Sequence, residues 1–142
     1  MKKQIILTII AGTLFLFLLS CMSKRHDDDV MCTTEFRMLT ISIKDNHSNP
    51  VILSDYFVKK TSTGEIIDFS QQDPFMDSIN RIQGIYFLCT DGQMDMTSRS
   101  GTEFEFHGIL DSTEIVNEKY LIGNDQCHVI LFSGQTEIVI TK

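Results

Sequence analysis

From residue 34 to the end, turn chemistry cuts the chain into short β-type segments with a single helical crossover among them. In residues 34–44, Leu39, Ile41 and Ile43 share one face and Thr40, Ser42 and Lys44 the other, the period-2 pattern of a half-buried strand. Phe36 and Met38 fall out of phase, which predicts a bulge or a change in what covers the strand. The Asp-Asn-His-Ser-Asn-Pro stretch at 45–50 is turn chemistry. β character resumes over 51–60, breaks at the Thr-Ser-Thr-Gly-Glu turn and returns briefly in 65–69. Residues 85–90 form a strongly apolar segment expected at the centre of a sheet. Further β segments cover 103–110, with Phe104 and Phe106 inward, then 113–122, 127–132 and 136–141, with Ile138 and Ile140 on one face. Seven or eight short strands with turns about every 8–12 residues predict a mainly β fold, a two-sheet antiparallel sandwich of about seven strands.

One segment breaks the pattern. Asp73 is an N-cap residue, Pro74 suits the first helical position, and Phe75, Ile79 and Ile82 recur at i, i+4 and i+7. Gly84 stands where a left-handed C-terminal residue belongs. This predicts one short helix whose apolar stripe lies as a lid on the core. Residues 91–101 read as a long polar loop.

The N-terminus sets the compartment. Lys2 and Lys3 precede a run from residue 5 to residue 19 without a charge. That is shorter than the roughly 20 residues of a spanning helix, so a basic start and short apolar run read as a signal helix. The run ends Leu18-Leu19-Ser20-Cys21, which resembles the lipobox of bacterial lipoproteins. The resemblance implies cleavage before Cys21, thioether diacylation of its sulfur and acylation of the new N-terminus. The mature protein would then be membrane-anchored through its lipid and span nothing. The chain divides into a signal peptide (1–20), a lipid-anchored acidic tether (21–33) and the sandwich domain (34–142). Within the tether, Met22-Ser23-Lys24-Arg25-His26-Asp27-Asp28-Asp29 resembles the acidic signal that sends Bacteroidota lipoproteins to the outer face of the outer membrane. The expected location is therefore the outer membrane, with surface exposure open. Residues 39–67 look like the opening hairpin of transthyretin-like, carboxypeptidase-regulatory-like sandwiches, and 120–140 like the end of small Bacteroidota lipoproteins, which implies a non-catalytic accessory domain; an immunoglobulin-like sandwich is the alternative. Asp77-Ser78-Ile79 and Asp111-Ser112-Thr113 resemble the O-glycosylation acceptor of exported proteins in the same bacteria, which marks Ser78 and Ser112.

Removing residues 1–20 takes two lysines and no acid, moving the net charge from −7 to −9 over 122 residues. A nucleic-acid partner wants a basic stripe, so none is expected. With no tryptophan in the chain, a tryptophan sugar platform is excluded. Once Cys21 carries lipid, Cys32, Cys89 and Cys127 remain. Cys89 runs in phase with Ile85 and Phe87 and reads as a small buried residue. Cys32 and Cys127 each precede a strand, and the expected staple in an oxidising compartment is between them.

No catalytic constellation is legible. Cys127 and His128 are strand neighbours that point to opposite faces. His47 sits in a turn, His107 is expected to be exposed, and His128 is expected to be a hydrogen-bonded core residue. No histidine spacing fits zinc, His26 lies on the tether, and Asp91 and Asp95 lack the dense oxygen ligands of a calcium loop. No metal, cofactor or enzymatic activity is expected. The functional expectation is a non-catalytic, lipid-anchored envelope or surface module supporting a protein or glycan interaction. A periplasm-facing structural or assembly factor is the second reading. The first expects an exposed apolar patch in the domain, around Tyr56, Phe57 or Tyr120.

Overall fold

The computed structural model describes residues 30–69 and 73–141; the signal run, Cys21 and the tether through Asp29 lie outside the described residues. Eight strands form two sheets. They are β1 (Met38–Asp45), β2 (Asp55–Lys60), β3 (Ile66–Ile67), β4 (Ile85–Thr90), β5 (Thr102–Leu110), β6 (Thr113–Asn124), β7 (Val129–Ser133) and β8 (Glu137–Ile140). Helix α1 (Pro74–Ile82) connects β3 to β4, and a 3₁₀ helix (Asp91–Met96) follows β4. The order is β4-β1-β8 in the three-stranded sheet and β3-β2-β5-β6-β7 in the five-stranded one. The mainly β sandwich is as expected, with one departure: β8 lies parallel to β1, while every other strand pair is antiparallel. Residues 134–136 carry the chain from the five-stranded sheet to the edge of the other, which fixes that orientation.

The expected phase break is a real irregularity. The β1–β4 register slips between Leu39 and Thr40, which leaves Phe36 and Met38 half-exposed while Ile41 and Ile43 are buried. The turn after β1 is closed by the Asp45 carboxylate, which accepts from the amides of His47 and Asn49. Residues 51–54 stay outside the ladder although Val51 and Leu53 are buried. The Val51 amide donates to the Ile43 carbonyl (3.0 Å) and the Ser54 amide to the Ile109 carbonyl (2.9 Å), while the Tyr86 hydroxyl donates to the Val51 carbonyl (2.6 Å) and accepts from the Leu53 amide (2.8 Å). Regular pairing therefore starts only at Asp55.

Between the sheets, Tyr86 meets Tyr56 edge-on at 5.1 Å and Phe106 stacks on Tyr56 at 5.6 Å. Gly108 lets Leu53 reach this layer, since a Cβ there would stand 2.9 Å from Leu53 Cδ1. The expected polar loop after β4 is a capped turn. Gln93 folds back so that its Oε1 accepts from both the Thr90 amide and hydroxyl, while the Thr90 hydroxyl accepts from the Gly92 amide. The disulfide joins Cys32 to Cys127, and Cys89 is free and fully buried, as expected. The compact unit starts at Cys32, two residues before the boundary read from sequence.

Candidate functional site

Every local signal for α1 is met. The Asp73 carboxylate accepts from the Met76 amide (3.0 Å), Pro74 opens the helix, and Gly84 has φ +68° just after it. The side it buries is the opposite of the expected one. Phe75 is 72 % exposed, Ile82 65 % and Ile79 37 %, while Asp77 is 4 % exposed. The lid expectation is thereby corrected.

The reason is a polar clasp. Asp77 and Arg81 lie four residues apart on the side away from the apolar stripe. The buried Tyr56 hydroxyl donates to Asp77 Oδ1 at 2.7 Å, and Arg81 Nε donates to Asp77 Oδ2 at 2.6 Å. The Arg81 guanidinium sits 4.9 Å above the Tyr56 ring and also reaches the Ser54 carbonyl. Burial and the adjacent Asp77 carboxylate push the Tyr56 phenol far up, so it stays a donor. A carboxylate held by two donors has its charge compensated inside, and rotating the helix to bury Phe75 and Ile79 would strand both Asp77 and the Tyr56 hydroxyl.

Beside the start of α1 runs a groove of about 230 Å³. Buried Phe69 and Phe87 line it together with exposed Phe36 and Met38, and Asp73 closes the end nearest the helix. With the helix face, this makes the region around α1 the main exposed apolar feature of the described residues. Tyr56 and Tyr120 do not supply it: both are 1 % exposed, Tyr120 with its hydroxyl on the Gln135 carbonyl. Phe57 is spent on a stack with His107 at 4.6 Å.

That stack corrects the expectation for His107, which is buried. Its phase was read correctly, since Phe104 and Phe106 face inward. On the outer face, however, Phe57 covers the imidazole and Glu114 takes its Nδ1 at 2.6 Å. His128 is the buried, hydrogen-bonded residue expected. Its Nδ1 meets Asp91 Oδ2 at 2.7 Å and its Nε2 meets the Thr33 hydroxyl at 2.9 Å.

Hydroxyl, imidazole and carboxylate in line have the connectivity of a nucleophilic triad. Here Asp91 also accepts from the amides of Arg37 (2.7 Å) and Val129 (2.8 Å). With the Cys32–Cys127 bond one residue away from Thr33 and from His128, the set ties the incoming N-terminal segment to β4 and β7. None of the cavities that flank β2, β5 and β6, nor the α1 groove, is lined by Thr33, Asp91 or His128.

Burial acts to raise the Asp91 carboxyl, but the Arg37 amide, the His128 ring and the Val129 amide together hold it below its ordinary 3.8. A depressed folded-state pKa means the unfolded chain binds the proton first. The stabilisation is complete above about pH 4 and is lost as pH falls through the depressed value. Urea midpoints measured from pH 6 to pH 3 are expected to fall at the acid end, and Asp91→Asn to flatten that fall. An unchanged acid limb in the variant would show that Asp91 does not carry it.

The remaining marked residues fall as follows. Ser112 is exposed at the tip of the β5–β6 hairpin, with Asp111 and Ser112 at φ +49° and +65°, a two-residue primed turn. Ser78 is exposed on α1 with its hydroxyl turned back onto the Phe75 carbonyl (2.8 Å). Burial pushes the Cys89 thiol up to about 12, which makes it inert at neutral pH. Among the described residues no three His, Cys, Asp or Glu side chains gather as a metal site, and no helix is long and apolar enough to cross a membrane. The chain matches no family model, no curated protein and no solved structure.

Proposed function

We propose that this chain is a lipid-anchored, non-catalytic module of the bacterial envelope that acts by contact, with the outward apolar face of α1 as its working surface. One observation carries the contact reading: α1 is held by its polar side, which leaves Phe75 and Ile82 largely in solvent and Ile79 partly exposed. Soluble domains rarely expose such a face without a use for it. All three tyrosines are buried and the chain has no tryptophan, so no ring with a polar tip faces outward to stack on a sugar. That favours an apolar counterpart over a glycan. The anchor rests on the Leu18-Leu19-Ser20-Cys21 resemblance, and the disulfide at Cys32 fastens the end of the tether to the domain. The transthyretin-like resemblance and an outer-membrane location belong to the same reading.

Mass spectrometry of the mature chain tests the anchor: it is expected to begin at an acylated Cys21. Normal membrane fractionation of Cys21→Ala would contradict it. A fluorophosphonate probe tests the absence of catalysis and is expected to leave Thr33 unlabelled. Labelling of Thr33 that disappears in His128→Ala would make the Thr33–His128–Asp91 line a nucleophile and overturn the contact reading. Protease shaving of intact cells separates a surface module, lost on shaving, from a periplasm-facing one, which is protected.

A further inference from the structure

We infer that the outward face of α1 rests in the interfacial layer of the bilayer that holds the anchor. The inference builds on the lipid-anchored reading and names what the exposed face meets.

Three observations point there. The first is reach. Eleven residue steps separate Cys21 from Cys32, a fully extended span of at most about 40 Å. Because Cys32 is bonded into the domain, that leash ends at a fixed point on it. The second is where it ends. Phe36 lies four residues after Cys32, within about 14 Å of chain, and it lines one groove with Asp73, the N-cap of α1. The leash therefore ends within about 14 Å of a residue that lines the groove at the start of the helix. The apolar side chains on that flank, Phe36, Met38, Phe75, Ile79 and Ile82, are all at least a third exposed.

The third is chemical. A protein partner is specified by directed hydrogen bonds as well as by area. The α1 face offers few: the Ser78 hydroxyl is consumed by the Phe75 carbonyl, and the charged pair Asp77–Arg81 is turned inward. What remains at the centre of the face is apolar, with Asn80 and Gln83 only at its edge, the character of a helix lying in a membrane interface. The domain's negative charge adds no electrostatic attraction to anionic lipid, so the contact is apolar and should tolerate salt.

The test uses the mature lipidated chain in zwitterionic phosphatidylcholine–phosphatidylethanolamine vesicles. Ile79→Cys carries a nitrobenzoxadiazole label, and Lys119→Cys, exposed on β6, serves as control; buried Cys89 stays unlabelled in the folded protein. The expected result is blue-shifted emission at 79 that spin-labelled lipid quenches and 0.5 M salt leaves unchanged, with emission at 119 unshifted. Phe75→Ser with Ile82→Ser is expected to return the 79 label to water without releasing the protein from the vesicles. Anchored protein with the 79 label in water overturns the inference and leaves the anchored reading standing. A blue shift that lipid quencher does not touch and that grows with protein density puts a second copy on the face and also overturns it. Failure to sediment with vesicles at all sinks the anchored reading, and the inference with it.

Discussion

The double variant Cys32→Ser/Cys127→Ser is expected to lose about 4 kcal/mol of unfolding free energy relative to the oxidised protein, among the largest effects available in this domain. The bond spans 95 residues, nearly the whole folded unit. On the chain-entropy estimate, closing a loop of that length in the unfolded ensemble contributes somewhat over 4 kcal/mol. The variant's folded state should keep the Thr33–His128 contact, so the loss should act mainly through the unfolded chain. For a domain of this size the fall in midpoint temperature is roughly 15–30 °C. Urea unfolding of oxidised and variant protein measures it directly. A difference below about 1 kcal/mol would show that the unfolded chain is already constrained, or that the folded state resists the bond.

Asp77→Ala is expected to cost about 3 kcal/mol, a large effect for a residue on a helix whose apolar side faces water. The carboxylate satisfies the Tyr56 hydroxyl and balances Arg81, whose side chain is only 17 % exposed. Removing one partner of such a pair leaves the other charge and a buried donor uncompensated, for which losses of about 3–5 kcal/mol are typical. Arg81 retains the Ser54 carbonyl and the face of Tyr56, which places the estimate at the low end. Asp77→Asn keeps the acceptor for Tyr56 and should cost less. Asp77→Ala/Arg81→Met removes the stranded charge and should recover part of the loss. A double variant as unstable as the sum of its singles would mean the two residues do not act as a pair.

Much of the sandwich was legible because alternation reports directly on which side chains face a core. Leu39, Ile41 and Ile43, Phe104 and Phe106, and Ile138 were placed by period alone, and the phase slip at Phe36 and Met38 appears as the β1–β4 irregularity. The parallel pairing of β8 was not legible, because period-2 patterning is identical in parallel and antiparallel edge strands. The 3₁₀ helix was hidden in polar residues whose order comes from a local side-chain bond, Gln93 on Thr90.

The site was legible in its parts and misread in its orientation. Phe75, Ile79 and Ile82 mark a stripe, and hydrophobicity alone turns a stripe inward. Asp77 and Arg81 also mark a face, one that reads as solvated unless a buried donor waits beneath it. That donor is Tyr56, 21 residues away on β2. No feature of the helix segment announces it, and the aromatic patch expected at Tyr56 failed for the same reason: the ring and its hydroxyl are committed to the clasp. His107 shows the same limit, its burial decided by the cross-strand neighbour Phe57.

Asp77 fastens α1, and the helix offers its apolar stripe outward. Urea unfolding of the variant Phe75→Ser/Ile79→Ser/Ile82→Ser, made in the chain without its anchor, tests it most directly. Exposed side chains contribute little to folding, so the expected stability lies within about 1 kcal/mol of the parent. Three core truncations would instead remove several kcal/mol, and a loss of that size would mean the stripe packs against the domain after all.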